Sequence, residues 1–267
     1  MVRGLDLFRK HFEAHAGHYI LIGGTACDVR FAEKTLEFRR TKDLDIILVA
    51  EALTDDFVQH FWKFIREGGY EVAEVDAHKR FYRFISPKNG DYPTMLELFS
   101  RHPEVLRPAE GLHITDIPTG DDVSSLSAIL MDDDYYQFTL INSDITNGLH
   151  LASEIALMAL KIKAFLNNRQ RKQDGQTVQE VDIAKHRNDV IRLAATIVGS
   201  RARQVPDVIR KDATTFIDIL TAEPDNIKDL LKPWGMTRVQ KEDIIVQLRN
   251  VFDLDRPPVE SSVEVEV

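Results

Sequence analysis

Two short apolar runs constrain the fold of this chain most. The first is Tyr19–Ile22, which ends in Gly23-Gly24, and the second is Leu44–Val49. Runs of this length that are bounded by turn residues are typical of strands buried inside a sheet. Residues 25–37 and 55–67 follow them with helical patterns, and Thr25 stands where a helix cap is expected. The first part of the chain is therefore predicted to be a mixed α/β domain.

Further elements are predicted on both sides of these strands. Residues 5–16 have apolar side chains at helical spacing, and residues 70–75, 80–86 and 94–99 read as strands. The last two flank Pro87-Lys88-Asn89-Gly90, which is typical of a hairpin turn. Residues 110–148 contain clusters of Gly, Asp and Thr and short β-like runs such as Tyr136–Ile141.

The character of the sequence changes after Gly148. Helices are predicted over Leu151–Gln170, Val181–Val198, Pro206–Thr221 and Val239–Phe252. We therefore expect an α/β (α+β) domain over residues 1–148, an all-helical domain over 149–255 and a flexible tail over 256–267, where Val and Glu alternate after a proline pair.

Composition narrows the classes of protein. A net charge of −9 argues against a surface coated with basic residues for nucleic acid, and a single cysteine, Cys27, allows no internal disulfide. The N-terminus lacks the apolar segment of a signal peptide, and no stretch approaches the roughly 20 apolar residues of a membrane span. We expect a cytoplasmic protein without a membrane partner.

A first candidate site is Gly23-Gly24-Thr25, between a predicted strand and a predicted helix. Glycines allow a close approach of the backbone to a ligand, and a helix N-terminus offers free N–H groups that suit phosphate. A glycine pair after a strand is also a common turn, so this motif has both interpretations.

The segment from Arg39 to Asp45 is the second candidate. Asp43 and Asp45 stand two residues apart at the start of a strand, so both carboxylates point to the same face, where a divalent cation would offset their repulsion. Arg39 and Thr41 share this parity. The alternative is a solvated strand entrance, but the apolar run that follows favours a buried strand and a metal site.

Glu97 is the third candidate, because it lies inside the apolar strand Met95–Phe99. A carboxylate in such a strand is costly unless it is exposed or paired. If this strand lies beside the Asp43–Asp45 strand, Glu97 completes a three-carboxylate site. The alternative is an outward-facing position on a half-exposed strand.

These motifs together resemble the nucleotidyltransferase (polymerase-β-like) superfamily, and most closely the AbiEii-type nucleotidyltransferases. The residues that carry the resemblance are Gly23-Gly24-Thr25-Ala26, Arg39-x-Thr41-x-Asp43-x-Asp45 and the later strand acid, Glu97. The resemblance implies a nucleotidyltransferase-type mixed sheet flanked by helices, followed by a helical domain. It also implies that the glycine turn holds a triphosphate and that the acids bind Mg²⁺ or Mn²⁺.

The helical half extends the resemblance. Ala159–Ala164 is similar to the lysine-bearing helix of the family, which implies a role for Lys161, and Lys185–Leu193 is similar to a later Lys/Arg–Asp segment, which implies a role for Asp189. Asp182, His186 and Asp189 share one helical face. Without the resemblance, these residues would be interpreted as a solvated helix face and a snorkelling lysine.

Transfer of an NMP from an NTP to a hydroxyl of an RNA such as tRNA, a protein or a small molecule is therefore the leading hypothesis. Asp43, Asp45 and Glu97 would be catalytic and would bind metal. The predicted nucleotide contacts are Gly23, Gly24, Thr25, Arg39, Thr41, Lys161 and Asp189. The family includes toxins of toxin–antitoxin pairs, so an antitoxin is an expected partner. The alternatives are a non-catalytic nucleotide- or partner-binding module and a kinase-like phosphoryl transfer.

Overall fold

A computed structural model describes residues 2–74, 81–99, 129, 132–197 and 199–255 of the chain. The fold is mixed α/β, as predicted, and is built on a seven-stranded sheet with the order β3-β4-β5-β2-β1-β7-β6. The strands are β1 Tyr19–Ile22, β2 Asp43–Leu48, β3 Glu71–Glu74, β4 Phe81–Ile85, β5 Met95–Phe99, β6 Ser143–Thr146 and β7 Leu149–Ala152.

Nine α-helices are present in the described ranges. They are α1 Leu5–Phe12, α2 Gly23–Ala32, α3 Asp55–Gly68, α4 Asp133–Ile141, α5 Glu154–Gln173, α6 Glu180–Thr196, α7 Asp207–Ala222, α8 Ile227–Leu231 and α9 Lys241–Val251. None of the helices in these ranges is long and apolar enough to cross a membrane. The predicted tail over 256–267 lies outside the described residues.

The two apolar runs of the sequence form the centre of the sheet. β1 pairs antiparallel with β2 and parallel with β7, while β2 pairs parallel with β5. All four residues of β1 are buried, as are Ile46, Ile47 and Leu48 of β2. Both faces of these strands are covered, which is why they lack the alternation of an exposed sheet. The predicted β4–β5 hairpin is also present.

Aromatic packing covers one face of the sheet. Phe8 and Phe12 of α1 and Phe64 of α3 pack around Tyr19, with ring centroids 4.6 to 6.1 Å apart. Phe61 packs against Phe84 of β4 on the same face. Because side chains alternate along a strand, the neighbours of Phe84 and Tyr19 point to the opposite face, where the polar residues of β2, β4 and β5 lie.

The helices that follow the sheet are organised around α5. This helix buries 11 of its 20 residues, packs against α6 and α7, and also contacts α2. Ser153 caps it by accepting a hydrogen bond from the N–H of Ala156. Residue 148, the predicted domain boundary, falls in the turn between β6 and β7, so the sheet continues beyond it.

Three local predictions are wrong. Tyr136–Ile141 is not β-like but part of α4, which Asp132 caps and whose aromatic side chains are buried. Thr25 does not cap α2, because this helix begins at Gly23 after Ile22. Leu151 and Ala152 belong to β7 rather than to the following helix. In each case tertiary packing outweighs the local pattern.

Candidate functional site

A row of charged side chains crosses three neighbouring strands. Glu97 of β5 is in register with Asp45 of β2 on one side and with Arg83 of β4 on the other. Asp45 is in register with Ile22, the last residue of β1. Residues in register share a face of the sheet, so this row places two carboxylates and a guanidinium together at the C-terminal end of β1.

The row forms one wall of a cavity of about 530 Å³. The sheet contributes Asp43, Asp45, Arg83 and Glu97, and the turn after β1 contributes Gly23 and Gly24. Lys161 of α5 lies on the facing wall, together with the first two turns of α6. A further part of the wall is apolar, with Leu157, Leu160, Ala164 and Val178. An apolar lining with a few charged groups that converge on it is typical of a ligand pocket.

The glycine turn touches the acidic pair directly. Gly23 has a φ of +65°, and a β-carbon added there would lie 1.7 Å from Oδ2 of Asp45. A β-carbon on Gly24 would lie 2.7 Å from Oγ1 of Thr41. Any larger residue would therefore displace the carboxylate or the hydroxyl. Because α2 begins at Gly23, the free N–H groups of its first turn lie beside Asp45.

The two aspartates share this cavity and repel each other. Burial and the nearby charge of Glu97 raise the pKa of Asp43, although the charges of Lys185 and Arg83 oppose this. The pKa of Asp45 is raised well above its ordinary value by burial, by the charge and hydrogen bond of Glu97 and by the charge of Asp43. Negative charge is therefore in excess where the pair meets, as expected at a cation site.

Glu97 is held on the side away from Asp45 by Arg83. Nε and Nη2 of Arg83 donate to Oε1 of Glu97 at 2.9 and 2.6 Å, and both side chains are nearly buried. An ion pair offsets the cost of a carboxylate inside the sheet. Glu97 therefore lies beside Asp45 as the sequence predicts, but one of its oxygens is already bonded to a guanidinium.

Asp189 organises the cationic wall. It is fully buried and accepts hydrogen bonds from Nζ of Lys161 at 2.8 Å and from Nε and Nη2 of Arg39 at 3.0 to 3.2 Å. Burial raises its pKa, but the charge of Lys161 and the hydrogen bonds and charge of Arg39 outweigh burial and lower the pKa to about 2. Asp189 is thus ionised and holds both cations in place.

The pKa of Lys161 has the complementary shift. Burial lowers it, but the charge of Asp189 raises it above its ordinary value overall. Lys161 therefore keeps a fixed positive charge at the cavity wall. Asp189 itself is not among the described residues that line the cavity, and it lies behind the cations. Its contact with a nucleotide stays a prediction.

Thr25 also lies behind the cavity wall. Its side chain is buried, and Oγ1 donates to the backbone carbonyl of Asp43 at 2.6 Å. The hydroxyl fastens α2 to the start of β2 rather than facing a ligand. Thr41, in contrast, lines the cavity, as do Gly23, Gly24 and Arg39.

Several residues of the wall were not among the predicted site residues, and three of them, Arg83, Gln179 and Lys185, offer polar groups to a ligand. The place of Arg83 beside Glu97 depends on the β4–β5 register, which the long turn between these strands does not fix. Gln179 and Lys185 lie at the start of α6. Asp182, Lys185 and His186 are three and four residues apart, so they lie close together on one helical face. This spacing could have predicted that Lys185 lies near the site.

His186 also lines the cavity. Its pKa is lowered to about 3, first by burial and then by the charges of Lys161 and Lys185. The ring is therefore neutral at physiological pH. Its Nδ1 is buried and has no hydrogen-bond partner within the described part of the chain.

Asp43 and Asp45 are the two aspartates of the described residues that share this stretch of the cavity wall. No group of three or more His, Cys, Asp or Glu residues within the described ranges is arranged to hold a metal ion. Asp43 and Asp45 alone still match Mg²⁺, which takes one or two carboxylates and completes its shell with water and substrate phosphates. Glu97, the predicted third ligand, pairs with Arg83 through Oε1, and its role as a ligand stays a prediction.

Comparison with known proteins gives no match: no protein-family model, no curated protein and no solved structure matches this chain. Any functional conclusion therefore rests on the residues and geometry of the cavity.

Proposed function

We propose that this chain is a metal-dependent nucleotidyltransferase that binds an NTP in the cavity between the sheet and helices α5 and α6. The observation that carries the proposal is the shared cavity itself. Asp43 and Asp45, the Gly23-Gly24 turn and the Lys161 side chain all line it, although they come from three separate parts of the sequence. This grouping supports the nucleotidyltransferase-type arrangement of a sheet followed by a helical domain.

The triphosphate would lie at the start of α2. The N–H groups of the first helical turn carry partial positive charge and suit phosphate oxygens. Glycine at positions 23 and 24 lets Asp45 and Thr41 lie directly against this turn, so the carboxylate that would hold the cation lies beside the N–H groups that would hold the phosphates. Lys161 and Arg39 would offset the charge of the phosphates from the facing wall.

A divalent cation, Mg²⁺ or Mn²⁺, would be held by Asp43 and Asp45 and would neutralise the triphosphate charge. Burial and neighbouring negative charge raise the pKa values of both carboxyls, so a bound cation would stabilise their ionised forms. The charges of Lys185 and Arg83 offset the rise in the pKa of Asp43 only partly.

The reaction would be an in-line displacement. The acceptor hydroxyl oxygen forms a bond to the α-phosphorus, the bond from this phosphorus to the bridging oxygen of the β-phosphate breaks, and pyrophosphate leaves. Glu97 would take the hydroxyl proton, because it lies in register beside Asp45 while Arg83 holds its Oε1. The chain would contribute positioning and fixed charge.

The apolar part of the wall would receive the base of the nucleotide. Leu157, Leu160, Ala164 and Val178 are apolar residues of the wall, and Gln179 offers an amide. The acceptor would be an RNA such as tRNA, a protein or a small molecule with a hydroxyl. A toxin controlled by an antitoxin is one setting for such an activity.

Calorimetric titration with each NTP and Mg²⁺ tests the nucleotide site. We expect one NTP per chain to bind only in the presence of the cation, and Asp43→Asn to abolish the binding. Cation-independent binding, or binding that Asp43→Asn leaves unchanged, would remove the support for this site.

A non-catalytic nucleotide-binding module is the second candidate, and the Arg83–Glu97 pair favours it. An active two-cation site needs a third carboxylate ligand, whereas Glu97 gives one oxygen to Arg83. In this case Mg²⁺ and NTP would bind without release of pyrophosphate. A pyrophosphate-release assay on the wild-type chain with a mixture of RNA and protein acceptors separates the two functions.

A further inference from the structure

A second cavity of about 480 Å³ lies on the other side of Arg39. Its wall includes Arg39, Arg192, Glu37, Phe38 and Trp234. Arg39 lines the first cavity as well, so the two cavities share this residue. Arg192, on α6, is not among the described residues that line the first cavity.

Positive charge is in excess between the two cavities. Asp189 is the shared anion of Lys161, Arg39 and Arg192, whose Nη1 lies 3.5 Å from Oδ1. One carboxylate balances one of these three cations, and Lys161 lines the first cavity. Arg39 and Arg192 set against Asp189 therefore leave one positive charge on the side of the second cavity.

The two guanidiniums also keep hydrogen-bond donors for a ligand. Arg39 uses Nε and Nη2 on Asp189, and Arg192 uses Nη1. Within the described ranges, Nη1 of Arg39 and both Nε and Nη2 of Arg192 make no hydrogen bond. Donors on rigid guanidinium planes, held by a buried carboxylate, match the oxygens of a phosphate group.

One wall residue opposes this charge, but from an exposed position where water and salt screen it. Glu37 is the single acid among the described residues of the second cavity, and its side chain is exposed to solvent. Its backbone carbonyl accepts a hydrogen bond from Nε1 of Trp234 at 2.9 Å. Trp234 in turn packs on Phe31, with ring centroids 4.8 Å apart, which gives the cavity a firm aromatic side.

We propose that the second cavity is a phosphate subsite for the acceptor substrate. The assignment of this subsite to the acceptor rests on the proposed function. A phosphate bound to Arg39 and Arg192 would lie in the second cavity, while the NTP would lie in the first, and Arg39 would line both. The acceptor would then carry a phosphate near its reacting hydroxyl, as a single-stranded RNA end or a small phosphorylated molecule does.

The test compares Arg192→Gln with Arg249→Gln. Arg249 is an exposed arginine of α9 that pairs with Asp255 and is not among the described residues of either cavity. Binding of a 5′-fluorescein-labelled 12-nucleotide RNA is followed by anisotropy across a salt series, and inorganic phosphate is used as competitor. Thermal melting of each variant, including Arg192→Lys, checks folding.

We expect Arg192→Gln to weaken RNA binding about tenfold, since one charge-assisted contact is lost. The dependence of log K on log salt should become shallower by about 0.7, as for one phosphate contact to a single strand. Arg249→Gln should match the wild type. If phosphate binds in an Arg192-dependent way but RNA does not, the subsite remains and its ligand is a small phosphorylated molecule.

Equal affinities and salt slopes for the wild type and folded Arg192→Gln, with no Arg192-dependent phosphate binding, would overturn the subsite. Titration with Mg²⁺ and NTP keeps this failure separate from failure of the proposed function. Arg192→Gln should retain wild-type NTP binding, because Arg192 lies outside the first cavity. A wild-type chain that binds RNA through Arg192 but binds no NTP would refute the acceptor role while retaining the phosphate site.

Discussion

The carboxylate of Asp45 occupies the space that a side chain on Gly23 would need. A β-carbon at Gly23 would lie 1.7 Å from Oδ2 of Asp45, and the φ of +65° is itself unfavourable for any residue with a side chain. The start of α2 and the acidic strand β2 therefore fit together only with glycine at this position.

Gly23→Ala should accordingly damage both folding and ligand binding. We expect a loss of stability of about 1–3 kcal/mol from backbone strain and contact with Asp45. Binding of NTP with Mg²⁺ should fall at least tenfold, as measured by calorimetry. Gly17→Ala is the matched control, since a β-carbon there has no neighbour within 4 Å, and it should bind as the wild type does.

Asp45→Asn should separate stability from binding. The raised pKa of Asp45 means that its ionised form is disfavoured in the folded chain relative to the unfolded chain. Above its unfolded pKa this charge therefore costs stability, and a neutral amide removes the cost. We expect a higher melting temperature without metal, by about 2–4 °C for each kcal/mol gained, with a larger gain at pH 7.5 than at pH 4.

The same variant should lose Mg²⁺-dependent NTP binding. Opposite changes in stability and function are common where charges are collected for a ligand. If Asp45→Asn melts below the wild type at pH 7.5, the repulsion inferred from the geometry of Asp43, Asp45 and Glu97 is absent.

Asp189→Asn should be strongly destabilising. Lys161 is almost completely buried, and it would lose the anion that accepts its hydrogen bond at 2.8 Å. Breaking a buried pair by removal of one partner costs about 3–5 kcal/mol. Urea unfolding measures the loss, and Glu180→Gln, which removes an exposed partner of Lys172, should change stability by less than about 0.5 kcal/mol.

Histidines should make the fold less stable in mild acid. Burial lowers the pKa values of His11, His15, His150 and His186, so these rings stay neutral in the folded chain while they take up protons in the unfolded chain below about pH 6.5. The unfolded state then binds more protons, and the free energy of unfolding falls as pH falls. For His186 this continues down to a pKa of about 3.

Urea unfolding between pH 7.5 and pH 5 checks this dependence. Each such ring contributes at most about 1.4 kcal/mol per pH unit, and His186→Gln should make the dependence shallower by an amount of this order. A slope that is the same in His186→Gln and in the wild type would show that His186 is not buried neutral.

Much of the sheet could be predicted from the sequence because its signals are local. Tyr19–Ile22 and the run from Leu44 are apolar on both faces, and the two-residue spacing of Asp43 and Asp45 fixes their common direction once the strand is known. The pairing of Glu97 with Asp45 needed one further assumption, that the two strands are neighbours, and the register fulfils it.

Other features of the site depend on contacts between distant residues. Nothing local shows that Arg83 meets Glu97, or that the hydroxyl of Thr25 is bound to the carbonyl of Asp43. The aromatic residues of α4 are compatible with a strand as well as with a helix. The chain forms a helix here, in which Tyr135 and Tyr136 are buried. Asp189 shares a helical face with His186, but its burial behind Lys161 follows only from the packing of α6 on α5.

Transfer of label from an NTP tests the central claim most directly. Wild-type chain, Mg²⁺ and a mixture of RNA and protein are incubated with an NTP labelled at the α-phosphate or at the γ-phosphate, with Asp45→Asn as control. We predict that the α-label becomes attached to an acceptor and that the γ-label is released as pyrophosphate. Asp45→Asn should neither label an acceptor nor release pyrophosphate. Transfer of γ-label would instead indicate a kinase-like reaction, and binding of every NTP without transfer of either label would contradict nucleotidyl transfer.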